Sequence, residues 1–172
     1  VFNVETMLNA YNAITEGKGV THKYITVTGE VKNPTTLRVP LGITVGEVLK
    51  LAGGTTIEDY TLINGGPMTG KVASLSDVVT KTTNAILVFP KDHHIINKKL
   101  SNNKHNMKRA MSACCQCRMC TDLCSRHLLG HPIKPHEFMR AATSGDTRKL
   151  EPFLNTFYCS GCGLCEMYAC QQ

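Results

Sequence analysis

The nine cysteines of this 172-residue chain all lie in its C-terminal third, in two short runs. A thiolate is a soft ligand for metal ions, so the spacing of these residues decides which chemistry they support. The first run has the spacing C-x2-C-x2-C-x3-C and the second C-x2-C-x2-C-x4-C. The residues concerned are Cys114, Cys117, Cys120 and Cys124 in the first run, and Cys159, Cys162, Cys165 and Cys170 in the second.

Three thiolates at such close intervals can each reach a different iron of one [4Fe-4S] cubane. The fourth iron then needs a ligand from elsewhere, and in two-cluster ferredoxins this is the remote cysteine of the other run. The spacing therefore predicts two clusters with crossed ligands. One would take Cys114, Cys117, Cys120 and Cys170, and the other Cys159, Cys162, Cys165 and Cys124. Cys115 is left over. It is adjacent to Cys114, so a shift of the first ligand by one residue stays open, although Cys115 would break the two-residue spacing to Cys117.

Two other uses of the cysteines remain open. Structural zinc is usually held by two well-separated pairs of ligands, since four tetrahedral ligands from one crowded loop strain the chain. A disulfide framework suits a small secreted domain, whereas these cysteines fill one segment and leave the rest bare. The nearby histidines (His127, His131 and His136) are not expected as ligands, because the cysteines already supply eight positions. His93 and His94 have no partner ligand at helical or turn spacing.

Composition and charge narrow the possible functions. The net charge of +6 reflects 19 basic and 13 acidic residues, and it would offset the negative charge of clusters and thiolates. Nucleic-acid binding is not expected, since no basic stripe is interleaved with aromatic residues and Trp is absent. No apolar stretch approaches the length of a membrane span, and no signal peptide is visible. Reduced thiolates fit a cytoplasmic location.

The first ninety residues have the periodicities of a small α+β domain. Helices are expected over residues 3–16, from the N-cap Asn3, and over 44–51, from the N-cap Thr44. Strands are expected over 23–31, 36–40, 60–64 and 85–90, the last apolar throughout and hence buried on both faces. A hairpin, a crossing helix and further strands indicate a β-grasp fold. The glycines of the turn 65–70 fit either a ligand cradle or a turn that needs positive φ.

The rest of the chain divides into a linker and a helical region. Residues 91–106 are polar and basic and are expected to link two modules. Helices are expected at 135–142 and 149–157, between the cysteine runs, where apolar side chains would keep water from the clusters. The predicted fold class is α+β, with a β-grasp domain followed by an α-helical, two-cluster ferredoxin-like domain.

Several motifs resemble a known family. The segments Asn3-Val4-Glu5-Thr6 and Val27-Thr28-Gly29-Glu30-Val31 resemble the flavin-carrying subunit of respiratory complex I and the RnfC subunit of the Rnf complex. The stretches 114–124 and 126–132 are closer to the cobalamin reductases of propanediol-utilisation microcompartments. The resemblance implies domains at 1–20 (the last helix of an otherwise absent flavin domain), 21–90 (a soluble-ligand-binding β-grasp, or SLBB, domain), 91–106 (linker) and 107–172 (two [4Fe-4S] clusters). Because the chain starts at Val1 and stops soon after Cys170, we expect an excerpt of a longer protein.

The same resemblance implies a function. In the whole protein, NADH would reduce FMN, and electrons would pass through the two clusters to cob(III)alamin or cob(II)alamin to reactivate a diol dehydratase. Asn3 and Thr6 would contact FMN. Partners would be cobalamin and an adenosyltransferase or other microcompartment proteins, and the location a bacterial microcompartment in the cytoplasm. The alternatives are an RnfC-like electron-transport subunit and a zinc-held binding module without redox chemistry.

Two residues depart from the family pattern. Where the family has Pro after the fourth cysteine of each run, this chain has Ser125 and Gln171. Because Pro fixes φ and ends the turn, its loss is expected to loosen the remote ligand of each cluster.

Overall fold

A computed structural model describes residues 2–145 and 148–169, which fall into two compact units, Val1–Ile96 and Asn97–Gln172. Both units contain helices, and the sheet belongs to the first. The described helices are all too short or too polar to cross a membrane.

The first unit is built around a five-stranded sheet. Its elements are α1 (Val4–Glu16), β1 (His22–Gly29), β2 (Thr35–Pro40), α2 (Val45–Leu51), β3 (Tyr60–Asn64), β4 (Lys71–Ala73) and β5 (Ala85–Pro90). The strand order is β2-β1-β5-β3-β4, and β1 and β5 are the only parallel pair among the described strands. This arrangement of a hairpin, a crossing helix and further strands confirms the predicted α+β class.

The core of this unit follows from the sequence patterns. In β1, Ile25 and Val27 alternate with exposed residues and are fully buried. Val45 and Val48 of α2 belong to the same cluster of apolar side chains. Each fully buried aliphatic side chain contributes roughly 1.5–3 kcal/mol through removal of apolar surface from water. The cluster therefore holds α2 against the sheet.

Strand β5 is buried on both faces, as its continuous apolar sequence predicts. Ile86 and Val88 belong to the cluster that contains β1 and α2. Leu87 instead packs with Ile63 and Ile96 in a second, smaller cluster. The central position of β5 in the sheet explains why no polar residue alternates along it.

Helix capping defines the start of both helices in this unit. The Asn3 side chain accepts a hydrogen bond from the Glu5 backbone N–H at 2.9 Å and caps α1. Thr44 and Glu47 form a capping box at the start of α2, in which each side chain accepts from the other residue's backbone N–H. Such caps are typically worth about 1 kcal/mol. Both N-caps confirm the sequence analysis.

The geometry of the turn between β3 and β4 shows why it needs glycine. A Cβ on Gly70 would overlap the carbonyl oxygen of Gly66 and the side chain of Ile63. Close approach of two backbone segments therefore accounts for the residue, and β4, only three residues long, was not predicted. This geometry favours the turn interpretation over a ligand cradle.

The second unit is helical and lies around the cysteine runs. Its helices are α4 (Asn103–Ala113), α5 (Met119–Asp122), α6 (Ser125–Leu128), α7 (Pro135–Ser144), α8 (Glu151–Leu154), a 3₁₀ helix (Asn155–Tyr158) and α9 (Leu164–Tyr168), and α3 (His94–Lys99) spans the division between units. Helices α3 and α4 occupy much of the segment expected to be a linker. The Asn102 side chain caps α4 by accepting from the Lys104 N–H at 2.9 Å, a signal the sequence analysis did not use.

The two expected helices between the cysteine runs are present as α7 and as α8 with its 3₁₀ extension. Phe138 of α7 and Phe153 of α8 meet edge to face, with their ring centroids 5.5 Å apart. Both rings are only partly buried, and few residues of this unit are buried fully. Among the described residues they are Ile133, Ala141, Ala169 and the polar Thr121. Such a small core does not by itself account for a stable unit of this size.

Candidate iron–sulfur site

The first cysteine run forms a tight loop between two helices. Cys114 ends α4, and its N–H donates to the Ala110 carbonyl at 3.0 Å. Two residues in the loop have positive φ although they are not glycines, Gln116 at 57° and Arg118 at 68°. Arg118 is the residue that precedes α5, which carries Cys120. Left-handed backbone at two non-glycine residues costs roughly 1–2 kcal/mol each, so the loop conformation is enforced by its surroundings.

The second run repeats this conformation with glycines. Gly161 has φ 67° and Gly163 has φ 72°, and α9 begins directly after Gly163. In both runs the left-handed residues are the second and fourth after the first cysteine, and the helix begins at the fifth. The two runs are thus structural repeats.

Residues of left-handed conformation turn successive backbone N–H groups toward a common point. Such concave arrangements bind anions, and Fe–S sites are among those that use them. In the second run the Gly161 N–H donates to Cys159 Sγ at 3.3 Å. Hydrogen bonds to sulfur are one of the features that set a cluster's reduction potential. The loops therefore fit a negatively charged cluster with its thiolates.

The thiols of the second run differ in acidity. The backbone N–H of Leu164 and the hydroxyls of Ser160 and Ser125 hold the pKa of Cys162 below its ordinary value, despite partial burial. Burial, followed by the charges of Glu166 and the neighbouring cysteines, raises the pKa of Cys165 to about 11. Cys120 in the first run also has a raised pKa, chiefly because it is partly buried. Metal binding at these two positions must therefore displace a proton, which makes affinity dependent on pH.

Several contacts bring the two runs together. The Ser125 side chain, next to Cys124, lies close enough to Cys162 to lower its pKa. Helices α5 and α9 pack against each other, and Cys120 lies close enough to Cys165 to affect its pKa. These contacts bring Ser125, the residue after Cys124, close to the second run, and crossed ligation stays a prediction.

A cavity of about 50 Å³ lies within the first loop. Its lining includes Cys114, Cys117 and Cys120, together with Ala169, the residue before Cys170. Cys170 itself lies outside the described residues. The crossed ligand Cys170 therefore stays a prediction from the sequence.

The described cysteines form neither a single-ion site nor a disulfide. Over residues 2–145 and 148–169, no three His, Cys, Asp or Glu side chains are grouped as ligands of one metal ion. No disulfide joins the eight cysteines within that part of the chain. A cubane binds its thiolates at four separate iron atoms, so its ligands lie farther apart than those of one zinc ion.

The helix between the runs is attached to the first loop by a buried threonine. Thr121 of α5 is fully buried, and its hydroxyl lies 2.6 Å from His136 Nδ1 and accepts from the His136 backbone N–H at 3.0 Å. Burial lowers the pKa of His136, and Arg118, Arg140 and Lys134 lower it further against the opposing effect of Glu137. His136 is thus a packing residue beside the cavity.

Two further histidines lie near the second run. The ring of His131 stacks on Tyr158, with the ring centroids 5.4 Å apart. His127, three residues after Cys124, has a buried Nδ1 without a hydrogen-bond partner among the described residues. Buried polar atoms are nearly always paired, so this nitrogen fits a site that binds a further group. The sequence gives no sign of this burial, because His127 follows the first cysteine run like the other nearby histidines.

The residues expected to contact FMN lie on α1. Asn3 is exposed and caps the helix, and Thr6 is exposed in its first turns. A cavity of about 470 Å³ lies beside α1, but neither residue lines it. Among the residues that do line it are Glu5, Lys18, His22 and Arg38. The FMN contacts thus remain predictions.

His93 has a structural role in its own unit. Its ring packs against Phe89 and His94, in each case with centroids 4.7 Å apart, and its Nδ1 accepts from the Ile95 N–H. It therefore helps to start α3.

Comparison with known families identifies a domain in each unit. Residues 24–72 match the SLBB domain, and residues 113–172 match a 4Fe-4S dicluster domain. The chain therefore contains an SLBB domain followed by a 4Fe-4S dicluster domain. The second match confirms the predicted iron–sulfur domain with two clusters and favours it over zinc. No comparison assigns individual ligands, so the cluster assignments remain predictions.

Curated relatives resemble the chain along nearly all of its length. It is 43% identical to "Cobalamin reductase PduS" of Salmonella typhimurium over 171 residues, which is 99% of this chain and 38% of that protein. PduS of Citrobacter freundii matches to the same extent. The chain is also 30% identical to a subunit of the "Na(+)-translocating ferredoxin:NAD(+) oxidoreductase complex" of Acetobacterium woodii, over 74% of this chain and 27% of that one. It thus spans less than two-fifths of the length of these relatives.

Proposed function

We propose that this chain is the electron-transfer part of a flavin and iron–sulfur cobalamin reductase. The observation that carries the proposal is the repeated loop, in which both cysteine runs have left-handed backbone at the same two positions. Similarity to PduS over 99% of the chain supports the choice of reductase. The dicluster domain supplies one-electron transfer, and the chain's contribution is to hold, insulate and tune the two clusters.

The proposed ligands follow the crossed pattern. One cluster would be held by Cys114, Cys117, Cys120 and Cys170, and the other by Cys159, Cys162, Cys165 and Cys124. When bound, the clusters accept and pass on single electrons. The Gly161 N–H donates to Cys159 Sγ, and the Ser125 hydroxyl lies near enough to Cys162 to lower its pKa. Groups that stabilise negative charge on sulfur raise the reduction potential of a cluster. Ser125 thus gives the second site a hydroxyl that Pro could not supply.

The remaining parts of the proposal concern the whole protein. There NADH would reduce FMN in a domain preceding residue 21, and electrons would pass through the clusters to cob(III)alamin or cob(II)alamin for diol dehydratase reactivation. Asn3 and Thr6 would contact FMN. The proposed domain limits are 1–20, 21–90, 91–106 and 107–172. A bacterial microcompartment and an adenosyltransferase partner fit the similarity to PduS.

A second candidate is an RnfC-like subunit that passes electrons to an ion-translocating complex. The similarity to the oxidoreductase complex of Acetobacterium woodii supports it, although at 30% identity and over 74% of the chain. Because PduS matches with 43% identity over 99%, cobalamin reductase is the better-supported function. Reduction of cob(II)alamin by the full-length protein with NADH tests this choice, and a preference for ferredoxin over cobalamin would reverse it.

The first experiment measures iron and acid-labile sulfide in anaerobically purified protein, with EPR spectra after dithionite reduction. We expect about eight irons and eight sulfides per chain and a reduced-cluster signal, because two cubanes contain that many atoms. Stoichiometric zinc without sulfide after anaerobic reconstitution would disprove the redox function and leave a zinc-held binding module.

The ligand assignment needs a matched pair of variants. Cys170→Ser removes a proposed ligand, so we expect the iron content to fall by up to about half and the signal of one cluster to change. Cys115→Ser removes the cysteine outside the proposed ligand sets, so iron content and both signals should stay as in the unmodified chain. The opposite pattern would show that Cys115 is a ligand and that the predicted crossing is wrong.

A further inference from the structure

The surface of α4 has a concentration of positive charge that cluster ligation does not explain. From His93 to Thr121 the sequence contains no Asp or Glu. Lys104, Lys108 and Arg109 of α4 are exposed, and none of them has an ion pair within the described residues. We call these three residues the basic face of α4, in which Lys104 and Lys108 lie on one side of the helix and Arg109 about 100° further round it. Three acidic residues of the same unit are already paired, Asp122 with Arg118, Glu137 with Lys134 and Glu166 with Lys98.

The charges of the basic face do not stabilise the helix that carries them. Lys104 and Lys108 are four residues apart, so two like charges lie next to each other on the helix surface. Lys104 is also in the first turn, where the helix dipole disfavours positive charge, and the last turn has no basic residue. A sequence selected only for helix stability would place these charges differently. Their arrangement points to a role outside the chain.

The helix has one packed side and one open side. Ala110 and Ala113 are half-buried, and α4 packs against α7. Met107 and Met111 are exposed next to the two lysines. The open side thus combines cationic groups with an adaptable apolar strip, a combination suited to a protein partner.

The basic face lies next to the proposed first cluster. Because α4 ends at Cys114 and rises 1.5 Å per residue, Lys108 lies about 9 Å and Lys104 about 15 Å along the axis from this ligand. Arg118 and Arg140, both exposed, line the cavity that the first run forms. Cys115 and Cys117 in the same loop are also exposed. The loop that would hold this cluster therefore has basic residues around it, of which Arg118 is paired with Asp122.

We propose that the basic face of α4 is the docking surface for an acidic electron-carrier protein that exchanges electrons with the cluster of Cys114, Cys117 and Cys120. This inference rests on the proposed function, because it needs redox-active clusters, and it adds a carrier protein to the FMN and cobalamin with which they exchange electrons there. Electron-transfer complexes are small and transient, and complementary charge determines their association rate more than their affinity. Short distance to the cluster and unpaired charge are the two properties that such a surface needs.

Two other anionic partners fit the surface less well. A helix that lies in a membrane interface needs bulky apolar side chains such as Trp, Phe or Leu, whereas α4 offers only Met107 and Met111. Binding of single-stranded nucleic acid uses several aromatic residues for stacking, and α4 contains no Phe, Tyr or Trp. An acidic protein is the occupant that charge and position favour.

The test uses two triple variants with the same change in net charge. Lys104→Gln, Lys108→Gln and Arg109→Gln neutralise the basic face, and Lys50→Gln, Lys71→Gln and Lys81→Gln neutralise three exposed lysines of the other unit. The reconstituted, reduced 172-residue chain is mixed with a strongly acidic [2Fe-2S] ferredoxin, and the electron-transfer rate constant is measured by stopped flow at low and high NaCl. Duroquinone, a neutral acceptor, serves as a second probe, and the affinity for ferredoxin is measured by titration calorimetry.

We expect the basic-face variant to react with ferredoxin about tenfold more slowly at low salt, with a weaker salt dependence, and to bind it more weakly. The control variant should retain most of the rate, and the duroquinone rate should be unchanged in both. Equal effects of the two variants on ferredoxin, or none, would overturn the inference while leaving electron transfer intact. Binding of both variants to phosphatidylserine vesicles and to single-stranded DNA is also measured. The inference would likewise be overturned if the basic-face variant lost either of these while its rate with ferredoxin stayed unaltered. If no chain reduces duroquinone, the proposed function fails, and calorimetry alone then decides whether the surface binds acidic protein.

Discussion

The two units of this chain are stabilised in different ways. Of the eighteen apolar residues buried within the described part of the chain, fifteen lie in the first unit and three in the second. The first unit has a sheet and a helix around a continuous core. The second consists of short helices joined by loops, two of which contain cysteines in strained or glycine-dependent conformations. The difference indicates that the clusters replace the core in the second unit, as metal sites do in other small domains.

The largest effect should come from removing the clusters. Because the second unit has so little buried apolar surface, we expect it to lose most of its helical structure when iron is extracted anaerobically by a chelator. The first unit should keep its sheet. Hydrogen exchange of backbone amides distinguishes the two, with residues 97–169 becoming unprotected and β1 and β5 remaining protected. Protection of α5, α7 and α9 in the iron-free chain would show that packing, and not the clusters, holds the second unit.

A core substitution should destabilise the first unit whether or not the clusters are present. Ile86→Ala removes a fully buried side chain from β5, so we expect a loss of about 2–5 kcal/mol in the free energy of unfolding of this unit. The loss should be the same with and without clusters. Ile14→Ala is the matched control, since Ile14 is 85% exposed and its truncation should change stability by less than about 0.5 kcal/mol. Urea unfolding followed by amide exchange in the sheet measures both, and cluster-dependent loss for Ile86→Ala would contradict the separation of the units.

The contrast also explains what could be predicted from sequence. The strands 60–64 and 85–90 were predicted with the bounds that the structure gives, because burial in a sheet leaves a clear apolar pattern. The iron–sulfur domain was predicted because the cluster fixes the spacing of its cysteine ligands. That spacing can be recognised even in a segment without the apolar periodicity of a core. The burial of Ile86 could thus be predicted from apolar periodicity, and a ligand role of Cys117 from cysteine spacing.

What the sequence did not reveal depends on contacts between distant residues. Left-handed backbone at Gln116 and Arg118 carries no local signal, since neither residue favours positive φ. The Ser125 hydroxyl was unexpected because it acts on Cys162, which is remote in sequence. Thr121, buried against His136, is inconspicuous for the same reason. The ligand set of each cluster was predicted from the sequence, but the residues that support those ligands were not.

Helix α1 depends neither on an apolar core nor on the clusters. It has no buried residue, and an ion pair from Glu5 attaches it to the sheet. Glu5 accepts hydrogen bonds from the nearly buried Lys23 ammonium and from the Tyr24 N–H. Burial raises the pKa of Glu5, but the hydrogen bonds and the charge of Lys23 outweigh it and hold the pKa below the ordinary 4.5. Glu5→Gln should therefore weaken the attachment of α1 by about 2 kcal/mol, without unfolding the sheet. Amide exchange in α1 measures the effect.

The same pair predicts a pH dependence. Because the folded pKa of Glu5 is lowered, its contribution to stability is present above pH 4.5 and is lost as the pH falls through the folded value. The Tyr24 amide shift in an NMR titration should report this ionisation, and Glu5→Gln should abolish it. Glu16→Gln is the control, because Glu16 pairs with the exposed Lys18 and such surface pairs contribute little. An unchanged α1 in Glu5→Gln would mean that other contacts hold the helix.

The smallest expected effect tests the equivalence of the two cysteine loops. A Cβ at Gly161 would have no heavy atom within 4 Å, so Gly161→Ala changes only the backbone energy of a residue with φ 67°. We expect it to destabilise the cluster-bound second unit by about 1 kcal/mol. At the corresponding position of the first run, Gln116→Gly should relieve the strain of φ 57° and stabilise the unit by a smaller amount, because glycine gains entropy in the unfolded chain. The rate of iron release to a chelator measures both.

The opposite signs of these two substitutions are the decisive feature. If the loops are structural repeats that bind equivalent clusters, a side chain at the second position after the first cysteine must be unfavourable in both, and glycine favourable in both. Faster iron release from Gly161→Ala and slower release from Gln116→Gly would establish this. Faster release from both would instead mean that the Gln116 side chain makes a contact that the first loop needs, and that the runs share a backbone conformation without sharing its cause.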